Sequence, residues 1–313
     1  MRTIYLNEGS LELPECVATI GVFDGVHLGH QRLICQMVAK AKEQRYCSMV
    51  ITFDRQPRQL FDPTFCPQIL TTLEEKESVI GKLGIDYLVV IPFTRELAGL
   101  TAEMFMQRIL FEQLHVRTLV LGYDNRFGKN RAETFDDYVR YGRQLGMAVY
   151  REDAEMMADG HQAISSSAIR QLLAEEGRVD LMPQYLTRNY TLTGHIISGE
   201  HIGHQLGFPT ANLSPDCEEK LIPASGVYAV WVSLEGYQEQ LAAMMNIGMR
   251  PTFDGCCQTL EVNILDFDAN LYGREITVAF VERLRVEQRF ESPQELIAQL
   301  RRDYERVKEI LNR

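Results

Sequence analysis

The sequence predicts two folds in succession: a doubly wound α/β domain with a mostly parallel sheet, then an antiparallel β-barrel or sandwich with a terminal helix. Three observations carry this reading. Strand-like and helix-like runs alternate over roughly the first 180 residues. Short strand-like runs separated by turn signals then follow, with no helix-length pattern between them. The chain closes on a stretch with one apolar stripe at helical spacing. At about 100–200 residues per domain, 313 residues accommodate two.

In order, "CVATIGVF" (16–23) reads as a buried strand, "HQRLICQMVAKAKEQ" (30–44) as a helix and "CSMVITF" (47–53) as a strand. The same alternation continues through a helix at 73–84, a strand at 86–93, a helix at 101–114 capped by Thr101, and a strand at 116–123. A helix at 134–146, a strand at 147–153 and a serine-capped helix at 165–177 complete the half. Ligands of such sheets bind beyond the carboxyl ends of the strands. "MPQYLTRN" (182–189) reads as a linker, which sets the domains at 1–183 and 184–313. Strands are then expected at 190–198, 226–234, 241–248, 259–265 and 275–285. In the last helix (292–311), Ser292, Pro293 and Glu295 form a capping-box arrangement, and Leu296, Leu300, Tyr304, Val307 and Leu311 form the stripe.

Composition narrows the function. Hydrophobic residues make up 45% and charged residues 24%, as in an ordinary globular chain. No apolar run is long enough for a membrane span, and "MRTIYLNEGSLELPE" lacks the apolar core of a signal peptide, so a cytoplasmic protein is expected. The cysteines at 16, 35, 47, 66, 217, 256 and 257 form no CxxC pair, which disfavours a disulfide framework or zinc knuckle. A net charge of −11 disfavours general nucleic-acid binding. An anionic ligand would be held locally, by helix N-termini, a few basic side chains and a metal ion.

"GVFDGVHLGHQ" (21–31) joins the first strand to the first helix. Gly25 and Gly29 permit tight turning and close approach of the backbone. His27 and His30, three residues apart at a helix start, face one side and can donate hydrogen bonds to phosphate oxygens. Zinc would need further ligands, and the histidines at 115, 161, 195, 201 and 204 suggest no set. A helix cap with surface histidines is the plain alternative. "ISSSAIR" (164–170) places hydroxyls and Arg170 at a later helix start, where a cap or a phosphate site would both look this way.

With those residues quoted, "GVFDGVHLGH" resembles the nucleotidyltransferase superfamily signature. The chain as a whole is similar to the bacterial bifunctional riboflavin kinase/FAD synthetase family. The resemblance implies a Rossmann-like nucleotidyltransferase domain in which His27 and His30 are catalytic. It implies that Gly21, Phe23, Asp24, Gly25, Gly29, Asp124, Asn125, Arg126, Ser165, Ser166, Ser167 and Arg170 bind ATP. Two stretches depart from the family pattern: Asn125 in "GYDNRFGKNR" (122–131) replaces an aromatic, and "TFDRQPRQLF" (52–61) has Arg55-Gln56 for Pro-His.

In the second half, "GHQLGFPTANL" (203–213) resembles the flavokinase Pro-Thr-Ala-Asn loop. The resemblance implies a barrel in which Gly203, Gly207, Phe208, Pro209, Thr210 and Asn212 bind ATP phosphates. Thr210 and Asn212 are neutral oxygen ligands suited to Mg²⁺. "NIGMRPTF" (246–253) implies flavin contacts from Asn246, Gly248, Arg250, Pro251 and Thr252. Glu261, expected at a strand start, is implied as the general base for the riboflavin 5′-hydroxyl. His204 and Asn263 stand where many relatives have Arg and His. "DFDANLYG" lacks the Gly and Glu of a calcium loop.

The implied enzyme phosphorylates riboflavin with ATP to FMN and adenylylates FMN with ATP to FAD and pyrophosphate, using Mg²⁺ at both steps. Its implied partners are these small molecules, with no nucleic acid or membrane, in a monomer or weak oligomer. Three other readings stay open: a kinase with weak or lost FAD synthesis, an adenylyltransferase for another phosphorylated acceptor, and a non-catalytic flavin or nucleotide sensor.

Overall fold

The structure, a computed structural model, describes residues 1–6, 13–62, 64–157, 160, 162–198, 208–252, 255–267 and 269–312; at 250–252 and 255–257 it describes backbone only. The chain divides into two compact units, Met1–Ser166 and Ser167–Arg313.

The first unit holds a six-stranded sheet of β1 (Arg2–Tyr5), β2 (Cys16–Ile20), β3 (Cys47–Phe53), β4 (Tyr87–Ile91), β5 (Val116–Leu121) and β6 (Ala148–Arg151). All neighbours are parallel, in the order β1-β4-β3-β2-β5-β6. Alternate strand residues enter two separate cores. Val17, Val50, Leu88 and Val120 pack with Ile34 and Met37 of α1 (Leu28–Gln44). Ala18, Ile51, Val89 and Leu119 pack on the other face with Phe105, Leu110 and Tyr138. The strands are apolar without interruption because both faces are covered. The strand order reverses at β2, which lies between β3 and β5, and the loops leaving β2 and β5 flank that switch point.

The second unit is a closed antiparallel barrel of β7 (Thr191–Ile197), β8 (Ala211–Pro215), β9 (Gly226–Leu234), β10 (Leu241–Thr252), β11 (Gly255–Ile264) and β12 (Glu275–Arg285). Val227, Ala229, Met244 and Leu265 point outward, under Val307, Ile310 and Leu311 of the terminal helix (Pro293–Leu311). Arg285 clamps this helix: its side chain is 13% exposed and its Nε lies 2.9 Å from Oδ2 of Asp303, itself 5% exposed. Gln299 Nε2 donates to the other carboxylate oxygen at 2.7 Å.

Several details differ from the sequence reading. β1 adds an unforeseen edge strand. Residues read as a linker contain a short helix, Met182–Leu186, with Met182, Tyr185 and Leu186 buried; Pro183 starts it rather than breaking it. Part of the stretch read as a glycine-proline loop is strand β8. At the terminal helix Ser292 Oγ accepts from Glu295 N–H at 3.3 Å, but Glu295 reaches back to the N–H of Glu291, one residue beyond the cap. Among the described residues, no helix is long and apolar enough to cross a membrane.

Asp303→Ala leaves the Arg285 guanidinium buried without its anion and is expected to cost about 3–5 kcal/mol, read as a lowered denaturant midpoint.

Candidate active sites

β2 ends at Ile20, and the chain then makes a turn of unusual backbone conformation. Phe23 (φ 51°), Gly25 (φ 80°) and Val26 (φ 41°) all adopt positive φ. Such a conformation strains a bulky or β-branched residue by about 1–3 kcal/mol and persists only where surrounding contacts enforce it. They do so here from several directions. Asp24 Oδ1 accepts from the N–H groups of Leu70 (2.8 Å) and Thr71 (3.0 Å). Thr71 Oγ1 accepts from Gly25 N–H at 2.9 Å. Thr52 Oγ1, near the end of β3, donates to the Val22 carbonyl at 3.2 Å. Ser166 Oγ donates to the Asp24 carbonyl at 2.8 Å, and Gln31 Nε2 to that of Val26 at 2.8 Å.

The turn delivers His27 as N-cap of α1, its Nδ1 accepting from His30 N–H at 3.4 Å. The two imidazoles stack with centroids 3.6 Å apart, and Phe23 meets His30 edge-on at 5.2 Å. A Cβ on Gly29 would lie 3.3 Å from the His27 ring, so this glycine makes room for the imidazole. The sequence-predicted Phe23, Asp24, Gly25, His27, Gly29 and His30 thus form one site. Gly21 lies at its entry, 3.2 Å from the Phe23 ring when a Cβ is built on it.

The loop after β5 adjoins this site. Asn125 Nδ2 donates to the Ile20 carbonyl and so ties the ends of β2 and β5 together. Asp124 and Arg126 on either side of it are exposed. Tyr138 clamps the loop further along, its hydroxyl bonded to both N–H and carbonyl of Phe127 at 3.0 Å. Ser165 and Ser166 begin the serine run, and Ser167 and Arg170 follow on the helix Ser166–Gln171. Arg55 pairs with Asp54 (3.2 Å), and Gln56 caps the short helix Pro57–Phe61.

The barrel assembles a second site by strand register. Asn246 of β10 stands opposite Glu261 of β11, which stands opposite Asn212 of β8. Directly paired residues share a face, and this is the outer face, since Met244 of β10 and Leu265, the residue after β11, pack under the terminal helix. Glu261 therefore lies well inside a strand rather than at its start. Asn263, 5% exposed, donates from Nδ2 to the Pro209 carbonyl at 2.6 Å and holds the segment leading to Thr210 and Asn212. A Cβ on Gly248 would meet Glu287 Oε1 at 3.0 Å and Asn246 Nδ2 at 3.3 Å, so the glycine keeps this face open. Gly203 and Gly207 lie outside the described residues, as do the side chains of Arg250, Pro251 and Thr252. Phe208 is partly buried just ahead of the exposed Pro209. Among the described residues no cluster of three His, Cys, Asp or Glu side chains could cage a metal.

Sequence reasoning missed Thr52, Thr71, Lys76 and Glu287, and singled out Asn263 only as a departure from the family pattern. Lys76 left a signal: it stands four residues before the buried Ile80, on the apolar face of a helix (Leu73–Gly81). Its Nζ is 3.4 Å from Thr52 Oγ1.

Burial pushes His27 down to about 4, against a smaller opposing pull from Asp24. Burial first, then His27 and Lys76, hold His30 well below the usual imidazole range. Both rings are therefore neutral near pH 7, as two rings stacked so closely require. Because Nδ1 of His27 accepts a hydrogen bond, its proton sits on Nε2, available to a ligand. An unfolded histidine titrates near 6.5, so below that pH the unfolded chain takes up protons that folded His27 refuses. Stability is full above about pH 6.5 and falls by up to about 3 kcal/mol as pH drops toward 4. Denaturant midpoints from pH 7.5 to 4.5 should show this decline, and His27→Gln should make it shallower.

The profile of the FAD synthetase family matches residues 10–168, and that of the riboflavin kinase family residues 186–311. The bifunctional riboflavin kinase/FMN adenylyltransferase of Escherichia coli K12 is 38% identical over 288 residues, covering 92% of this chain and 90% of that protein. The Haemophilus influenzae protein of that description is 36% identical over 307 residues, covering 98% of each. A solved Streptococcus pneumoniae structure, described as a macrolide-efflux protein, matches with a TM-score of 0.88 and 28% identity over 98% of each chain. That description belongs to the pneumococcal protein, and what it shares with this chain is the fold. The chain belongs to the bifunctional riboflavin kinase/FMN adenylyltransferase family, phosphorylating riboflavin to FMN and adenylylating FMN to FAD.

Proposed function

We propose that the two reactions are divided between the two sites, with residues 1–183 carrying FMN adenylylation and 184–313 riboflavin phosphorylation. What carries this reading is placement. His27 and His30 stand at the switch point of the parallel sheet, and Glu261 stands between Asn212 and Asn246 on the barrel's outer face.

In the first site, ATP lies with its phosphates at the N-terminus of α1, where free N–H groups and the helix dipole favour negative charge. A phosphate oxygen of FMN attacks the α-phosphorus, and pyrophosphate leaves. The Nε2–H of His27 and the ring of His30 bind phosphate oxygens and stabilise the charge that moves onto the leaving group. Ser165, Ser167 and Arg170 are assigned to the β- and γ-phosphates. Ser166 Oγ already braces the Asp24 carbonyl, which supports a positioning role for it. Gly21, Asp124, Asn125 and Arg126 border the nucleotide. No covalent enzyme intermediate is needed, so the site works by alignment and charge neutralisation.

In the second site, Glu261 takes the proton of the riboflavin 5′-hydroxyl as it attacks the γ-phosphorus of ATP; the bond from that phosphorus to the β,γ-bridging oxygen breaks and ADP leaves. Asn246 and Gly248 border the flavin, together with Arg250, Pro251 and Thr252. Phe208, Pro209, Gly203 and Gly207 wrap the phosphates. The donor set suits Mg²⁺: Thr210 and Asn212, two residues apart, offer neutral oxygens and leave most coordination positions to water and phosphate. When bound, Mg²⁺ neutralises phosphate charge. We also place the enzyme in the cytoplasm as a monomer or weak oligomer.

His30→Ala is expected to lower FAD formation from FMN by about 10²–10³-fold while riboflavin phosphorylation stays near wild type. Glu261→Ala is expected to lower phosphorylation by about 10²–10⁴-fold while FMN supplied directly is still converted to FAD. Chromatography of FMN and FAD separates the two; either variant losing both activities while folded contradicts the division.

A further inference from the structure

We propose that Lys76 is a positioning residue of the adenylyltransferase site, a buried ammonium that braces the turn through Thr52 and supplies fixed positive charge beneath the nucleotide triphosphate. The inference rests on reading the turn at 21–30 as the ATP site.

Lys76 is 6% exposed. Among the described residues its Nζ has one hydrogen bond, the 3.4 Å contact with Thr52 Oγ1, and no carboxylate within ion-pairing distance. Thr52 in turn donates to the Val22 carbonyl, so the ammonium is two hydrogen bonds from the strained turn. Asp24 is the nearby anion and favours the charged lysine, but its carboxylate is engaged by the Leu70 and Thr71 amides. His30, on α1, is the other titratable group that senses Lys76. Burial lowers the lysine below its usual range.

An ammonium so placed is costly. Transfer from water to the interior costs several kcal/mol per ion, and a long bond to one hydroxyl offsets little of it. A methionine of similar length would serve packing better. The cost makes sense if an anion arrives. A second feature of the same site points the same way: His30 Nδ1 is buried and, among the described residues, has no hydrogen-bond partner. In a chain of net charge −11, a triphosphate needs such local positive charge.

The test uses the full chain with Lys76→Gln, which keeps a donor for Thr52 but removes the charge, and Lys76→Met, which removes both. FAD formation from FMN is followed with ATP varied, riboflavin phosphorylation serves as internal control, and thermal unfolding is recorded with and without inorganic tripolyphosphate. Lys76→Gln is expected to lower kcat/KM for ATP in FAD formation at least tenfold, to leave riboflavin phosphorylation unchanged, and to abolish stabilisation by tripolyphosphate. Without ligand, both variants should unfold at or above the wild-type temperature. Wild-type kcat/KM in Lys76→Gln, or failure of both variants to fold, would overturn the proposal and make the lysine structural. If His30→Ala loses FAD formation while Lys76→Gln keeps it, only this inference fails. If His30→Ala keeps FAD formation, the underlying reading of the site fails.

Discussion

The first half of the molecule depends on one carboxylate. Asp24 sits in a turn whose neighbours Phe23 and Val26 adopt backbone conformations that their side chains disfavour. Its oxygen gathers the amides of residues 70 and 71, and through Thr71 the amide of Gly25. Hydrogen bonds to an ionised group are worth about 1.5–3 kcal/mol each, enough to offset strain of this size. Without that anchor, His27 would not be set as the N-cap of α1, nor stacked on His30. The histidine pair and the helix start at the sheet's switch point thus lean on a brace reaching across 46 residues of sequence.

The barrel reaches the same end by different means. Closing the sheet fixes every register, and register alone lines up Asn246, Glu261 and Asn212. A shift of one residue in β11 would turn Glu261 into the barrel interior and bring a valine or leucine outward. Strained backbone is not required, because each side chain leaves a regular strand. The remaining irregular part, the approach to Thr210, is held by the Asn263 side chain on the Pro209 carbonyl.

Departures from the family pattern acquire physical meaning in this setting. Asn125, where an aromatic is usual, ties the end of β5 to the end of β2. Asn263, where histidine is frequent, still donates a hydrogen bond from a buried position. Arg55 and Gln56, replacing Pro-His, are engaged in a surface ion pair and a helix cap. Each substitution keeps the local chain ordered by a polar contact of its own.

Much of the molecule was legible in the one-dimensional pattern. Alternating apolar periods separated a parallel sheet from an antiparallel barrel, and glycines beside histidines marked the turn after β2, because periodicity and turn chemistry are local properties. The helix at 182–186 was hidden by a proline that starts it, and β8 by the glycine and proline preceding it. Contacts between distant segments left almost no trace. Thr52, Thr71 and Lys76 look like an ordinary strand end, a residue before a helix cap and a helix lysine, and only the packed fold brings Thr52 and Thr71 against residues 22–25 and Lys76 against Thr52. Sequence by itself determined most of the elements and which residue types could meet phosphate or hydroxyl, since these follow from local propensity and side-chain chemistry. Tertiary structure decided which of those residues meet, how burial keeps the histidines neutral, and that a lysine lies buried against Thr52. Distance and desolvation are set by packing, and packing is not a property of any one segment.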